Sequence, residues 1–212
     1  MSNSEYLLAV ESAISGGSLA LFQDDRLIVS LSGGGSVSRA EDLLPNIASL
    51  LEEAMISRSD LGTVAVSLGP GSYTGLRIGI STVMGLCRAL EIEAVGVTLF
   101  HSLSFKASLA RVVSVVPMGR SDLCFAMSSE PESPRIGSIE DLAYEITKAG
   151  ASELRCHSDI HAPLSRRFHD QLLVTDLGRK LAESSGRAAS ILPITRRLDP
   201  IYAPSQRFTP AP

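Results

Sequence analysis

The chain has 212 residues, of which 44% are hydrophobic, 20% charged and 5% aromatic, with a mean hydropathy of +0.19. Such a composition excludes a disordered, collagen-like or coiled-coil chain, and the length allows one large domain or two small lobes. With 19 Lys+Arg against 23 Asp+Glu the formal charge is -4, the opposite of the basic balance expected of a chain whose main task is to hold a phosphate backbone.

Cys87, Cys124 and Cys156 are an odd, widely spaced set without a CxxC pair, which points away from a disulfide framework or a thiolate zinc site and toward a reducing, cytoplasmic setting. The opening MSNSEYLLAV has no basic n-region, and no run approaches the roughly 18 apolar residues of a membrane span, so neither secretion nor membrane insertion is expected.

Three short apolar runs at residues 6–10, 18–22 and 27–31, separated by Gly16-Gly17 and Asp24-Asp25, predict a three-stranded meander. After the cluster Gly33, Gly34 and Gly35, Ser38 and Glu41 have capping-box spacing, and Leu43, Leu44, Ile47, Leu50, Leu51, Ala54 and Met55 recur at helical intervals. Pro45 either kinks that helix or marks a later start. Residues 63–68 (TVAVSL) predict a buried strand, 74–90 a second helix, and 94–97 (AVGV) a fifth strand. The resulting order, βββαβαβ, predicts the ribonuclease H-like arrangement of an α/β protein.

The second half is less regular. Strands are expected at 112–116 and 123–127, a polar loop at 128–138, and helices near 139–148 and 176–185, in a smaller second lobe of the same class. A Pro-rich tail follows and is expected to be mobile.

The stretch 67–86, SLGPGSYTGLRIGISTVMGL, has a glycine-rich turn between strand and helix. It lacks the Gly-Lys-Ser/Thr ending of a P-loop and the spacing of a dinucleotide fingerprint, so Gly69 and Gly71 serve better as a tight turn, with Ser72 or Thr74 capping the helix. In the helix, Gly75, Gly79, Thr82 and Gly85 form a small-residue stripe flanked by Ile78, Val83 and Leu86. Such a stripe permits close approach of another helix, either within the domain or from a partner.

GPGSYTGLRIGISTVMGL resembles the hallmark of the bacterial TsaB (YeaZ) family. LLAVESAISGGSLAL, the AEDLLP run, VGVTLFHSL and the late LDPIYAPSQ resemble further landmarks of that family in the same order. The match covers most of the chain, densely in the first hundred residues and thinly from about 104 to 197. The resemblance implies the two-lobed actin-like ATPase (ASKHA) fold, with residues 1–104 as the first lobe, βββαβα in order, and 105–212 as a reduced, divergent second lobe. It further implies a non-catalytic subunit that binds and activates a TsaD-like enzyme. With a TsaE-like ATPase, such a complex transfers a threonylcarbamoyl group to the adenosine beside the anticodon of tRNA. Contact with tRNA would come only through the complex, with Arg166-Arg167 and Arg196-Arg197 as auxiliary contacts at most.

The two helices of the first lobe are implied to meet their counterparts in the partner, or in a second copy as a homodimer. The expected interface residues are Leu43, Leu44, Ile47, Leu51, Gly75, Ile78, Gly79, Thr82, Val83 and Leu86. Replacing Gly79 by Arg is expected to abolish that contact and leave the fold intact.

Departures from the family pattern bear on catalysis. The first-strand Asp is Glu11 here, and Pro117 stands where the second-lobe Asp aligns, so this chain lacks the paired carboxylates that orient Mg²⁺ and water in an ASKHA ATPase. Glu11 and Ser12 remain the candidate nucleotide-cleft residues, and no cofactor is expected. Arg39 replaces the histidine that commonly precedes the first helix. Cys156, His157, Asp159 and His161 (CHSDIH) offer metal-ligand types without an identifiable complete set, which makes surface or capping roles the better expectation. His101 and His169 are isolated. The rivals are a nucleotide-dependent enzyme of the same fold and a glycoprotease-like peptidase, the latter without any GxSxG elbow to support it.

Overall fold

The computed structural model describes residues 6–14, 16–32, 40–105, 111–118, 122–178, 181–195 and 198–202. The expected Gly33 to Gly35 cluster, the Ser38 end of the capping box, Arg39, Arg196-Arg197 and the tail from Ala203 lie outside these residues.

The chain divides into two compact units, the first made of Met1–Ser102 with Arg179–Tyr202 and the second of Leu103–Gly178. In the first, β1 (Tyr6–Glu11), β2 (Ser18–Gln23) and β3 (Arg26–Ser32) form the antiparallel meander. Helix α1 (Ala40–Glu53), strand β4 (Leu61–Gly69), helix α2 (Tyr73–Leu90) and strand β5 (Glu93–Thr98) follow, with β4 and β5 added in parallel to give the sheet order β3-β2-β1-β4-β5. Helix α1 begins before Pro45 and contains it, so the proline does not mark the start. The α1 helix stops at Glu53, and Met55 lies beyond it with a left-handed backbone, fully in solvent.

Alternation decides which side of this sheet each residue serves. Leu8, Val10, Leu19, Leu21, Val64 and Val66 face the core formed with Leu43, Ile47, Leu50, Leu51, Ile80 and Val83 of α1 and α2. The alternate residues Ser18 and Phe22 meet α6 (Leu181–Ala189): the Ala182 amide donates to Ser18 Oγ at 2.9 Å, and Gly186 abuts the Phe22 ring. Both faces of the first sheet are therefore covered. The second-half helix expected at 176–185 is this one, displaced to Leu181–Ala189 because Asp176 still belongs to a strand, and it packs in the first unit instead of the second lobe.

A short helix, α3 (Leu99–Ser104), leads to the second unit. There β6 (Val112–Met118), β7 (Asp122–Met127) and β8 (Arg135–Gly137) form another antiparallel set, followed by α4 (Ile139–Ala149), β9 (Glu153–Cys156), α5 (Ser158–Phe168) and β10 (Leu173–Asp176). The sheet order β8-β7-β6-β9-β10 repeats that of the first unit, element for element. It is reduced only in length, since β8 has 3 residues and β9 and β10 have 4 each. The core is Val113, Val115, Phe125, Leu142, Ile146 and Leu154 with Leu164 and Phe168 of α5. Both units thus carry the ribonuclease H-like topology of the actin-like ATPase fold. Among the described residues, no helix is long and apolar enough to cross a membrane.

Because no Cβ fits between residue 186 and the Phe22 ring, Gly186→Val should force α6 off the sheet and cost about 1–3 kcal/mol. The expected outcome is a lower urea midpoint with an unchanged slope.

Candidate partner interface

The site begins with the turn that sends β4 into α2. Gly69 adopts φ +94° with its Cα against the Ile201 carbonyl, a position that no side chain fits. Ser72 is the N-cap of α2: its Oγ accepts from the Gly75 amide at 3.2 Å, and its own amide donates to the Ala13 carbonyl at 2.7 Å. These groups are satisfied by the protein itself, so the turn is a capped helix start and not an open anion cradle.

The segment after β1 crosses directly beneath α2. Ser12 Oγ donates to the Gly75 carbonyl at 2.9 Å, and a Cβ at Gly75 or Gly79 would collide with the Ser12 carbonyl or hydroxyl. The small-residue stripe therefore divides. Gly75 and Gly79 are buried against their own domain, while Gly85 faces open space. Gly79→Arg would accordingly break the domain before it tested any interface, contrary to the expectation from sequence.

Glu11 is buried beside Ser12, with Oε1 accepting from the Ala13 amide at 2.6 Å and the Ile14 amide at 3.0 Å. Burial pushes its carboxyl up to about 7, against the opposing pull of the Ile14 and Ala13 amides. Glu11 and Ser12, the candidate cleft residues, are thus both engaged in fastening this crossing.

Of the ten expected interface residues, Leu43, Ile47, Leu51, Gly75, Gly79 and Val83 are buried inside the first unit. Ile78, Thr82 and Leu86 are half-buried, and Leu44 is 54% exposed. Helical periodicity marks both core and interface residues as apolar, and only packing separates them.

The solvent face that remains carries Leu44 and Ala48 on α1 and Ser81, Met84 and Gly85 on α2, with Met84 56% exposed. Its charges are sorted by helix. The exposed side of α1 has Glu41, Glu52 and Glu53 and no base, while α2 has Arg77 and Arg88 and no acid. Met84, Arg77, Arg88 and Tyr73 were missed by reading the stripe alone. A wheel at about 100° per residue finds them, because they share the solvent arc that borders the buried arc of α2 on its Ile80 and Cys87 side.

Elsewhere the candidates separate. His157 is the buried N-cap of α5, with Nδ1 accepting from the Asp159 amide at 3.2 Å, while Cys156 is buried at the end of β9. His161 is half-buried, and among the described residues no three His, Cys, Asp or Glu side chains are placed to hold a metal. Pro117 pairs with Leu123 in the β6–β7 ladder. Arg166 and Arg167 lie exposed in the last turn of α5, with Arg167 over the Phe168 ring. His101 sits on Thr98 Oγ1 at 2.8 Å, and His169 is on the surface beside Asp170.

The two repeated units and the capped, glycine-packed α2 define a protein of the actin-like ATPase fold class. The chain belongs to the family described as TsaD: tRNA N6-adenosine threonylcarbamoyltransferase, whose profile matches residues 36–159, and within it to the TsaB (YeaZ) group. It is 35% identical over 104 residues to the "tRNA threonylcarbamoyladenosine biosynthesis protein TsaB" of Buchnera aphidicola subsp. Schizaphis graminum (strain Sg), covering 49% of each chain. These matches span about half the length of the curated relatives. The fold is similar to that of YeaZ from Pseudomonas aeruginosa, with TM-score 0.62 and 20% identity over 87% of this chain and 90% of that one. It is also similar to component A of the Acidaminococcus fermentans (R)-2-hydroxyglutaryl-CoA dehydratase, at TM-score 0.53 and 9% identity over 89% and 98% of the two chains.

Two outcomes follow from this geometry. Gly85→Ala should stabilise the chain by about 0.5–1 kcal/mol through helix propensity, whereas Gly79→Ala should destabilise it by about 1–3 kcal/mol through collision with Ser12, both read from urea unfolding. For Glu11, the folded carboxyl holds its proton up to about pH 7, while the unfolded one releases it near 4.5. The Glu11 contribution is therefore full below about pH 4.5 and is lost as pH rises toward 7 and beyond. Relative to Glu11→Gln, wild-type stability should fall by about 2–3 kcal/mol between pH 5 and pH 8, and a flat difference would refute the assignment.

Proposed function

We propose that this chain is an accessory subunit of tRNA threonylcarbamoyladenosine biosynthesis that has no catalytic centre of its own and docks on a TsaD-like enzyme through the outer faces of α1 and α2. The observation that carries the proposal is the solvent face around Leu44, Ala48, Met84 and Gly85, whose apolar centre and helix-sorted charges are surplus to the fold. Family membership and the similarity to TsaB proteins of threonylcarbamoyladenosine biosynthesis support the pathway. The TsaE-like ATPase and the tRNA join through the assembled complex, and a second copy of this chain competes for the same face. The setting is cytoplasmic, where the tRNA substrate resides.

Against a nucleotide-dependent enzyme stands the state of Glu11, whose carboxylate oxygen is already taken by two backbone amides. Titration of the isolated chain with Mg-ATP should give no heat above dilution.

The docking face is tested by co-purification of the tagged chain with the TsaD-like protein of the same host, wild type against Leu44→Glu and Gly85→Arg. Both positions are exposed, so thermal midpoints should stay within a few degrees while recovery of the partner drops about tenfold or more. Full recovery by both folded variants would remove α1 and α2 from the interface.

A further inference from the structure

The segment after α6 returns along the outer edge of the first sheet. The Thr195 amide donates to the Ala94 carbonyl at 2.9 Å, the Gly96 amide donates to Thr195 Oγ1 at 3.2 Å, and the Ile201 amide donates to the Leu68 carbonyl at 2.7 Å. Leu198 packs on the core of α1 and α2. The described part of this strap thus spans from β5 to the start of α2, on the flank of α2 away from α1.

Two features of this flank are not needed by the fold. At one end, Tyr202 packs against Tyr73 at a 40° tilt with ring centroids 4.6 Å apart, although the two residues are 36% and 55% exposed. Arg77 joins them: its Nη1 donates to the Tyr73 hydroxyl at 2.8 Å, and its guanidinium carbon lies 5.3 Å from the Tyr73 ring centre. At the other end is a groove of about 560 Å³ floored by Met84, Cys87, Ile92, Ala94, Ile194 and Leu198. Its rim holds one base, Arg88, against two acids, Glu93 and Asp199, whereas the tyrosine end presents Arg77. At about 100° per residue, Tyr73, Met84, Arg77 and Arg88 share one arc of about 60° on α2, and Ile78, Thr82 and Gly85 occupy another.

An arginine already held by a hydroxyl and a ring loses little freedom when its remaining N–H donors take a carboxylate in a planar fork. Tyrosine and arginine around an apolar pocket is also the composition of protein-interface hot spots. A nucleic acid fits the flank less well, because phosphate binding draws on many cations and gains nothing from an apolar groove, and the chain carries a net charge of -4.

We propose that the TsaD-like subunit that docks on α1 and α2 also covers this strap flank, seating an apolar side chain in the groove beside Met84 and Ile194 and a carboxylate on Arg77 within the Tyr73–Tyr202 pair. The inference rests on the partner assigned above, and it makes the C-terminal strap part of the interface.

Calorimetric titration of the full chain with the TsaD-like protein of the same host tests it, using wild type, Arg77→Gln and Tyr202→Ala. Each variant should bind about tenfold or more weakly at an unchanged thermal midpoint, and Arg77→Gln should flatten the rise of Kd with NaCl. Arg77→Lys should retain only part of the affinity, because lysine lacks the planar fork. If wild type itself fails to bind, the assigned partner is wrong. If wild type binds and both variants match it, the partner stands and the strap inference falls. Loss confined to self-association, or to tRNA binding with subunit affinity intact, would assign the flank to a second copy or to RNA and overturn the proposal.

Discussion

The close crossing of the segment after β1 beneath α2 sets the geometry of everything around it. Two helix turns of α2 approach Ser12 so nearly that residues 75 and 79 have no room for a side chain. The Ser12 hydroxyl and Ser72 amide bind the two segments together from opposite directions. Glu11 stiffens the same segment by accepting from its amides while almost wholly shielded from water. A buried carboxyl is a costly device, and its use here follows from the two backbone donors that the tight segment would otherwise leave unmet. Once α2 is fixed at this height above the sheet, its opposite arc is committed to solvent. The solvent-facing arc of α2 is therefore a consequence of the crossing.

The same economy of topology appears twice in the chain. Each unit uses a three-strand meander followed by two parallel strands introduced by helices. The copies have diverged in how their sheets are covered. In the first, alternate strand residues face α1 and α2 on one side and α6 on the other. In the second, the face away from α4 and α5 carries a polar network: Arg155 pairs with Glu153 at 2.8 Å and donates to the carbonyls of Leu103 and Phe105, while Thr175 donates to Glu153. Burial alone would raise the Glu153 carboxyl, but the hydrogen bonds from Arg155 and Thr175 and the charge of Arg155 outweigh it and hold it below its ordinary value.

That network explains why the second unit is hard to read in sequence and the first is not. TVAVSL announces a strand because every residue is apolar or small. ELRC, the sequence of β9, alternates a buried ion pair with two core residues, and its hydrophobic period is too short to register. Helix α5 contains Pro163 and three charged residues, so its apolar stripe shrinks to Leu164 and Phe168. At the site the limit is different in kind. Spacing shows that Gly75, Gly79, Thr82 and Gly85 lie near one another on a helix, but it cannot show what stands opposite them. That depends on Ser12, 63 residues before Gly75, which makes two of the glycines structural and leaves Gly85 free.

The sorted charges of the two helices carry the argument about partners one step further. A face with acids on α1 and bases on α2 is complementary to itself when turned over by a twofold axis, because each acidic helix then meets a basic one. The same layout also fixes the orientation of any other two-helix face with the opposite sorting. Self-pairing and the proposed partner docking would therefore draw on one set of contacts, and charge sorting alone would give neither a decisive advantage. The balance would be set by groups outside the two helices, and the strap supplies them in Ile194, Leu198 and Tyr202. A subunit that reaches Tyr202 and the Ile194 and Leu198 wall of the groove would gain contacts that lie beyond a twofold pair confined to α1 and α2. Selection between two such assemblies would then depend on the reach of the partner and not on the strength of the common core.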